Sequence, residues 1–233
     1  MDRMQGIILS ILGAAVFAAV LFFVIDYGSE KTYATPQDVF EASRMALRRN
    51  DLRAFCQCIT DDSRDFMAAT MAVDKYVNRE LMEKAGTEKK KAEVRAVDDI
   101  FKKHGLTEAH MAKHQKDMLQ MTDQFAPMKQ KLAVARELLE PISDRNGFIA
   151  EVFEASMKAT GIDHPFLDKK DDKLTNVIVQ GKAASGIVET RGGAMDGKDA
   201  IEFRKQGEGW RIDLFPERGS GMMPPGMLPP GHP

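Results

Sequence analysis

The sequence has few cysteines, and this scarcity excludes a disulfide-rich fold. Cys56 and Cys58 are the only two in 233 residues, and a single pair cannot build a disulfide framework. Gln57 separates them, and side chains two residues apart on a helix point about 200° away from each other. We therefore expect structural cysteines, one in the core and the other half exposed. A vicinal disulfide or a soft-metal pair is the alternative.

An excess of charge of either sign is also lacking. The chain has 33 basic and 35 acidic residues, a net charge of −2, and the two signs are interspersed. A nucleic-acid-binding domain carries a basic patch or stripe, so no nucleic acid partner is predicted. Aromatic residues make up only 7%, whereas there are 15 methionines, whose flexible side chains favour an adaptable helical core.

Catalytic signatures are missing as well. No G-x-S-x-G nucleophile motif occurs, and residues 181–186 (GKAASG) lack the Lys-Ser/Thr pair that a phosphate-binding loop needs after its second glycine. The acidic pair Asp61 and Asp62 and the pair Asp98 and Asp99 are sequence neighbours, which we interpret as helix caps or solvated positions. The sequence therefore predicts a protein without enzymatic activity.

One long apolar run stands out against these absences. It begins at Gly6 and ends at Ile25 without a charge, and a helix of that length spans about 30 Å, the hydrocarbon core of a bilayer. A cleaved signal peptide is the alternative, but its apolar core is normally shorter. We expect an uncleaved single-pass signal anchor embedded in the lipid bilayer. The slight positive excess before the run, from Arg3 and the terminal amine, places the N-terminus in the cytoplasm and the domain in the bacterial periplasm.

The rest of the chain predicts an α+β domain. We divide the sequence into an anchor (1–27), a linker (28–34), an α+β domain (35–216) and a disordered Pro/Gly/Met-rich tail (217–233). Apolar residues at three-four spacing predict helices over 35–161, including one continuous helix over 107–139 that Pro127 kinks or breaks. Val77 and Leu81 belong to the apolar face of the helix that begins at Asp61 or Asp62.

From Leu174 onward the period changes to that of β-strands. Short alternating segments separated by turn residues predict a four-stranded antiparallel meander over 174–215, with one face buried against the helices. In the last strand Trp210, Ile212 and Leu214 are expected inside, and Arg211 and Asp213 outside.

Two segments resemble nuclear-transport-factor-2-like domains, also called SnoaL-like or cystatin-like. The first segment is 35–65, with its Pro-capped helix and D-x-x-A-F second helix, and the second is the closing hairpin, 199–216. The matching positions are Pro36, Val39, Phe40, Asp51, Leu52, Phe55, Ile201, Phe203, Trp210, Ile212 and Leu214. The resemblance implies a curved sheet wrapped on helices with a cone-shaped pocket, and 72–167 departs from it as a large helical insertion. It implies no particular activity, because members include enzymes, binding modules and dimerisation devices.

One metal site is suggested by residue spacing. His110 and His114 lie four residues apart on a predicted helix, Met118 follows one turn later, and imidazole with thioether ligands suits copper or zinc. The alternative is a solvated face of a lysine-rich helix. Met222, Met223, Met227 and His232 in the tail suggest copper more weakly.

We therefore expect a membrane-anchored binding or scaffolding domain, with a protein partner or self-association. The alternatives are an envelope metal-binding protein that uses His110, His114 and Met118, and a pocket enzyme of the SnoaL-like type.

Overall fold

A computed structural model describes residues 31–123, 125–160, 172–190 and 197–216. The chain divides into two compact units, Met1–Thr32 and Tyr33–Pro233. The predicted membrane span, 6–25, and the predicted tail, 217–233, lie outside the described residues. Among the helices that the structure describes, none is both long and apolar enough to cross a membrane.

The described part of the second unit is an α+β fold, as the sequence predicts, and its helices precede its strands. The helices are α1 (Pro36–Arg48), α2 (Leu52–Cys56), α3 (Asp61–Ala85), α4 (Glu88–Lys103), α5 (Glu108–Lys113), α6 (Gln115–Thr122), α7 (Met128–Leu138) and α8 (Arg145–Thr160). The strands are β1 (Lys173–Gln180), β2 (Ala183–Thr190), β3 (Gly197–Gln206) and β4 (Gly209–Asp213).

Side-chain caps explain where most helices begin. Thr35 and Asp38 form a reciprocal capping box at α1, and Pro36 occupies the first turn, as the sequence predicts. Asp51 caps α2 by accepting a hydrogen bond from the backbone N–H of Ala54. Thr60 caps α3, which begins at Asp61, one of the two starting positions that the sequence predicts.

The predicted helix over 107–139 is three helices instead of one. It breaks at His114, which is the C-cap of α5 and the N-cap of α6, and again before Pro127. The break at Pro127 was predicted because proline cannot donate to the preceding turn. The break at His114 was not predicted, and its backbone (φ −95°, ψ 9°) redirects the chain without any glycine or proline.

The four strands form an antiparallel sheet in sequence order, which confirms the predicted meander. Ser185 pairs with Glu202, and Phe203 pairs with Ile212. The segment before α3 runs along the outer edge of β4, where Ile212 donates to Cys58 and accepts from Thr60 through backbone hydrogen bonds. This pairing closes one edge of the sheet.

The prediction that β4 exposes one face is wrong. Arg211 and Asp213 are 7% and 6% exposed, whereas Leu214, expected inside, is 38% exposed. Asp213 accepts from Arg204 at 2.6 Å, and the Arg211 guanidinium lies over the Tyr33 ring. Asp213 therefore has a partner on the neighbouring strand, and Arg211 has one that lies far from it in sequence.

Two clusters of buried residues form the interior. The sheet core consists of Val39, Phe40, Cys58, Ile59, Leu174, Ala184, Phe203, Trp210 and Ile212. The helical core consists of Cys56, Ala68, Ala69, Ala72, Val73, Val97, Phe101, Leu106, Met111, Met118, Met121, Val134, Ala135, Leu138, Leu139, Ile142, Phe148, Ile149 and Val152. Met67 is partly buried and packs against both.

Candidate functional site

A groove opens along the second half of α3. Its walls are α3, α4 and the pair α5–α6, and it encloses about 1270 Å³. The first half of α3 carries Ala68, Ala69 and Ala72, which are fully buried in the helical core. Their small side chains let the neighbouring helices approach closely, whereas the second half of α3 borders the groove.

The lining of the groove is largely apolar and rich in methionine. Val97, Phe101, Met111 and Met118 belong to the helical core and also line the groove, so its floor is the surface of that core. Met82 lines it from the far end of α3. Methionine side chains adapt to irregular partners, which suits a surface that binds by repacking.

Apolar side chains also stand exposed at the groove. Val77 on α3 is 62% exposed and Leu119 on α6 is 71% exposed, and both line the groove. Leu81, one turn beyond Val77, is 65% exposed. The sequence assigned Val77 and Leu81 to the apolar face of their helix, but both side chains are mostly exposed, so the expectation that this face is buried along its whole length is wrong.

Arg79 holds the rim of the groove together. Its guanidinium lies 3.2 Å from Asp98 on α4 and 2.8 Å from Glu108 on α5, and it also pairs with Glu83 one turn along α3. Burial raises the pKa of Asp98, with Arg79 opposing that rise, and burial likewise raises the pKa of Tyr76, whose hydroxyl donates to Glu108. One arginine therefore ties three helices at the mouth.

A second ion pair lies deeper, between α3 and α4. Lys75 Nζ is 2.6 Å from Glu93 Oε1, and the two side chains are 15% and 8% exposed. The groove is lined by four basic and five acidic side chains in all, so its net charge is close to neutral. An occupant therefore gains little from net charge and must gain most from apolar contact.

The predicted metal ligands are only partly brought together. The imidazole rings of His110 and His114 lie 4.8 Å apart. His110 Nε2 is 2.9 Å from the Leu138 carbonyl, to which it donates, and His114 Nδ1 is 3.3 Å from Asp117. Met118 is 2% exposed within the helical core. Within the described ranges no group of three or more His, Cys, Asp or Glu side chains forms a metal-binding cluster.

The two cysteines lie in different cores. Cys56 is 0% exposed in the helical core and Cys58 is 1% exposed in the sheet core, so the expectation that one is half exposed is wrong. Neither thiol forms a disulfide. Burial raises the pKa of Cys56 to about 12, and the Cys58 thiol lies 3.3 Å from the Tyr33 hydroxyl. The predicted divergence of the two sulfurs places one side chain in each core.

A cluster of carboxylates and arginines links the helices to the sheet, and sequence reasoning missed it. Asp62 pairs with Arg136 on α7 at 2.5 Å and with Arg204 on β3 at 3.1 Å. Asp65 lies 3.3 Å from Arg145 on α8 and is buried. Burial raises the pKa of Asp65, and the neighbouring arginines oppose that rise. The cluster positions the elements and pairs its charges internally.

The groove was also missed, and no motif announces it. The sequence does contain a partial signal. The helix α3 has 25 residues, which is longer than the helices around it, and its apolar positions continue beyond the part that is buried in the helical core. Comparison of this chain with protein-family models, curated proteins and solved structures finds no match.

Proposed function

We propose that this chain is a membrane-anchored binding domain without catalytic activity, whose groove receives an amphipathic helix of a protein partner. The observation that carries the proposal is the exposed apolar pair, Val77 and Leu119, beside a floor made of the helical core. Large exposed apolar side chains beside a groove are typical of interaction sites. A groove whose walls are helices, and whose lining side chains recur at helical intervals, can accept the apolar face of another helix.

The size of the groove favours a protein segment over a small molecule. Pockets for small molecules usually enclose about 300–1,000 Å³ and bury most of the ligand, whereas this groove encloses about 1270 Å³ and leaves Val77 and Leu119 open to solvent. The charges at the mouth of the groove are already paired around Arg79, so an entering helix would bury no unpaired charge there.

The experiment that tests the proposal is peptide selection followed by binding measurements. Peptides about 18 residues long, five helical turns, are selected from a random library on the full chain in lipid nanodiscs. We expect enriched peptides with apolar residues at i, i+3, i+4 and i+7. Affinity for Leu119→Glu or Val77→Glu should fall at least tenfold, about 1.4 kcal/mol, because the new carboxylate would be buried against an apolar face.

Val179→Glu is the matched control, because Val179 is 52% exposed on β1 and does not line the groove. The selected peptides should bind this variant as they bind the unchanged chain. Peptides that lose affinity equally for Val179→Glu and Leu119→Glu, or a selection that enriches nothing, would contradict the proposal.

The membrane anchor is the second part of the proposal and is supported by the uncharged run from Gly6 to Ile25. The domain then faces the extracytoplasmic side, in line with the weak charge bias around that run. Carbonate extraction should leave the full chain in the membrane pellet and release a chain that starts at Ala34. Release of both would contradict the anchor.

We also propose that α1, α2 and the sheet represent a nuclear-transport-factor-2-like framework, with the helices between them as an insertion. Support comes from Val39, Phe40, Phe203, Trp210 and Ile212, which carry the sequence resemblance and all lie in the sheet core. A crystal structure with a cone-shaped cavity between the sheet and α1 would support this assignment, and a flat sheet without one would contradict it.

A metal-binding function is a second candidate, favoured by the 4.8 Å separation of the His110 and His114 rings. Copper or zinc would be held by these two imidazoles, with Met118 joining only if it leaves the helical core. Native mass spectrometry of the chain purified without chelators should show one added metal ion that His110→Ala/His114→Ala removes. A bare mass after incubation with either metal would exclude the site.

A further inference from the structure

The C-terminal segment of the chain carries the chemistry that the groove accepts. Residues 219–231 contain no charged side chain and include Met222, Met223, Met227 and Leu228. The groove is apolar inside, close to neutral overall and already paired at its mouth. A charged segment would have to separate those pairs, whereas an uncharged methionine-rich segment would not.

The segment leaves the described fold beside the helix that borders the groove. The Phe215 ring packs edge-on against Phe66 on α3, with centroids 4.7 Å apart. At about 1.5 Å per helical residue, the groove-lining part of α3, from Val73 to Glu83, lies roughly 10–26 Å along the axis from Phe66. The exit point and the groove therefore share one helix.

The distance matches the positions of the apolar residues in that segment. A proline-rich chain extends about 3.1 Å per residue, so Met222 can reach roughly 19 Å from Pro216 and Leu228 roughly 37 Å. Because these distances are upper limits, the apolar stretch 222–228 is long enough to reach the groove. A shorter segment would stop before Val77. A charged segment would lose the free energy of apolar contact, because its charges would have to leave water on entering the groove.

We propose that residues 219–231 of the same chain occupy the groove and compete with the partner helix. This inference rests on the proposed function and adds its regulation. A tethered segment has an effective concentration of about 1 mM. Even an intrinsic dissociation constant of about 0.1–1 mM would therefore lower the apparent affinity of the partner about two- to tenfold. The partner must displace the segment in order to bind.

Cross-linking in the full chain in nanodiscs tests the location of the segment. Met223→Cys is combined with Leu119→Cys at the groove or, as the control, with Val179→Cys on β1, and a short bismaleimide is added. Cys56 and Cys58 are buried, so we expect them to stay unmodified. We expect several-fold more intramolecular cross-link in the groove pair. Equal yields would overturn the proposal, and cross-linked dimers in place of monomers would assign the segment to a second copy and overturn it too.

A competition measurement separates this proposal from the function on which it rests. Replacing Met222, Met223, Met227 and Leu228 by serine should tighten the binding of a selected peptide about two- to tenfold. If the peptide binds both chains equally, the groove function stands and the segment does not occupy the groove. If Met223→Cys and Leu119→Cys cross-link but no peptide is ever selected, the C-terminal segment is supported as the occupant of the groove and the proposal of a partner helix is contradicted.

Discussion

The sheet core and the helical core differ in how completely they are covered. In the sheet core, Phe203 and Ile212 are 2% and 3% exposed, and the chain before α3 seals the outer edge of β4. In the helical core, Met111 and Met118 are equally buried, but the same surface continues into Val77 and Leu119, which are mostly exposed. Both regions bury apolar side chains, but in the helical region the apolar surface of the core continues without a break into exposed side chains that line a groove.

The difference shows what a binding surface requires of a fold. An exposed apolar groove would collapse if its walls could close on each other. Arg79 bridges α3, α4 and α5 at the mouth, and Lys75 with Glu93 fixes the distance between α3 and α4 below. These polar contacts bridge the walls of the groove, and under the proposed function the apolar floor would provide the favourable energy of binding.

The largest expected effect is in the sheet core. Phe203→Ala should lower the free energy of unfolding by about 3–5 kcal/mol, because Phe203 is 2% exposed and truncation leaves a cavity. Leu119→Ala should change it by less than about 0.5 kcal/mol, because that side chain is 71% exposed. Urea unfolding measures both. Similar losses for the two variants would break the comparison.

The next largest effect concerns the groove wall. Lys75→Met should cost about 2–3 kcal/mol, because it leaves the Glu93 carboxylate, 8% exposed, without its partner. The double variant Lys75→Met/Glu93→Gln should recover most of that loss, since it also removes the charge. Equal stability of the single variant and the unchanged chain would show that this pair does not hold the wall.

A smaller effect is expected at the polar cluster between the two cores. Burial raises the pKa of Asp65 above its ordinary 3.8, so the folded chain keeps this proton to higher pH than the unfolded chain does. The contribution of Asp65 to stability is therefore fully present below pH 3.8 and is lost as the pH rises through the folded pKa. As the pH rises through that pKa, the Asp65→Asn variant should become more stable relative to the unchanged chain.

Asp144→Asn is the matched control for that pH dependence. Burial alone would raise the pKa of Asp144, but the backbone N–H of Gly147 and the Arg53 side chain outweigh it and lower the pKa. Its contribution is present above pH 3.8 and is lost as the pH falls through the lowered folded pKa, the opposite sign. Urea unfolding across the acidic range, with both variants following the same slope, would contradict these assignments.

The smallest expected difference is in the maleimide reactivity of the two thiols. Cys56 and Cys58 lie in different cores but are 0% and 1% exposed, and burial raises the pKa of Cys56 to about 12. Neither should react with a maleimide in the native chain, and both should become reactive together in urea. Mass spectrometry of the labelled peptides distinguishes them. Labelling of one thiol under native conditions would show that its core opens independently.

The fold was largely predictable because its signals are local. Thr35, Pro36 and Asp51 mark helix starts through their own side chains, and the alternation around Phe203 and Ile212 identifies a strand with a buried face. The break at His114 was not predictable, because no glycine or proline marks it. The burial of Arg211 and Asp213 was not predictable either, because Tyr33 and Ser63, which contact them, come from distant parts of the chain.

The groove was unpredictable for the same reason. Periodicity shows that Val77 and Leu81 share the apolar face of α3, but it cannot show whether another helix covers that face. The metal site remains a prediction, with two imidazoles close together and the Met118 side chain in the helical core.

The most direct test of the binding groove is an NMR titration. The full chain, labelled with ¹³C at its methionine methyl groups and held in nanodiscs, is titrated with a selected peptide. If the groove binds the peptide, the resonances of the groove methionines, Met82, Met111 and Met118, shift with saturation. The resonance of Met45, which is half exposed on α1 and does not line the groove, should stay in place. A shift of Met45 with the groove methionines unmoved would contradict it.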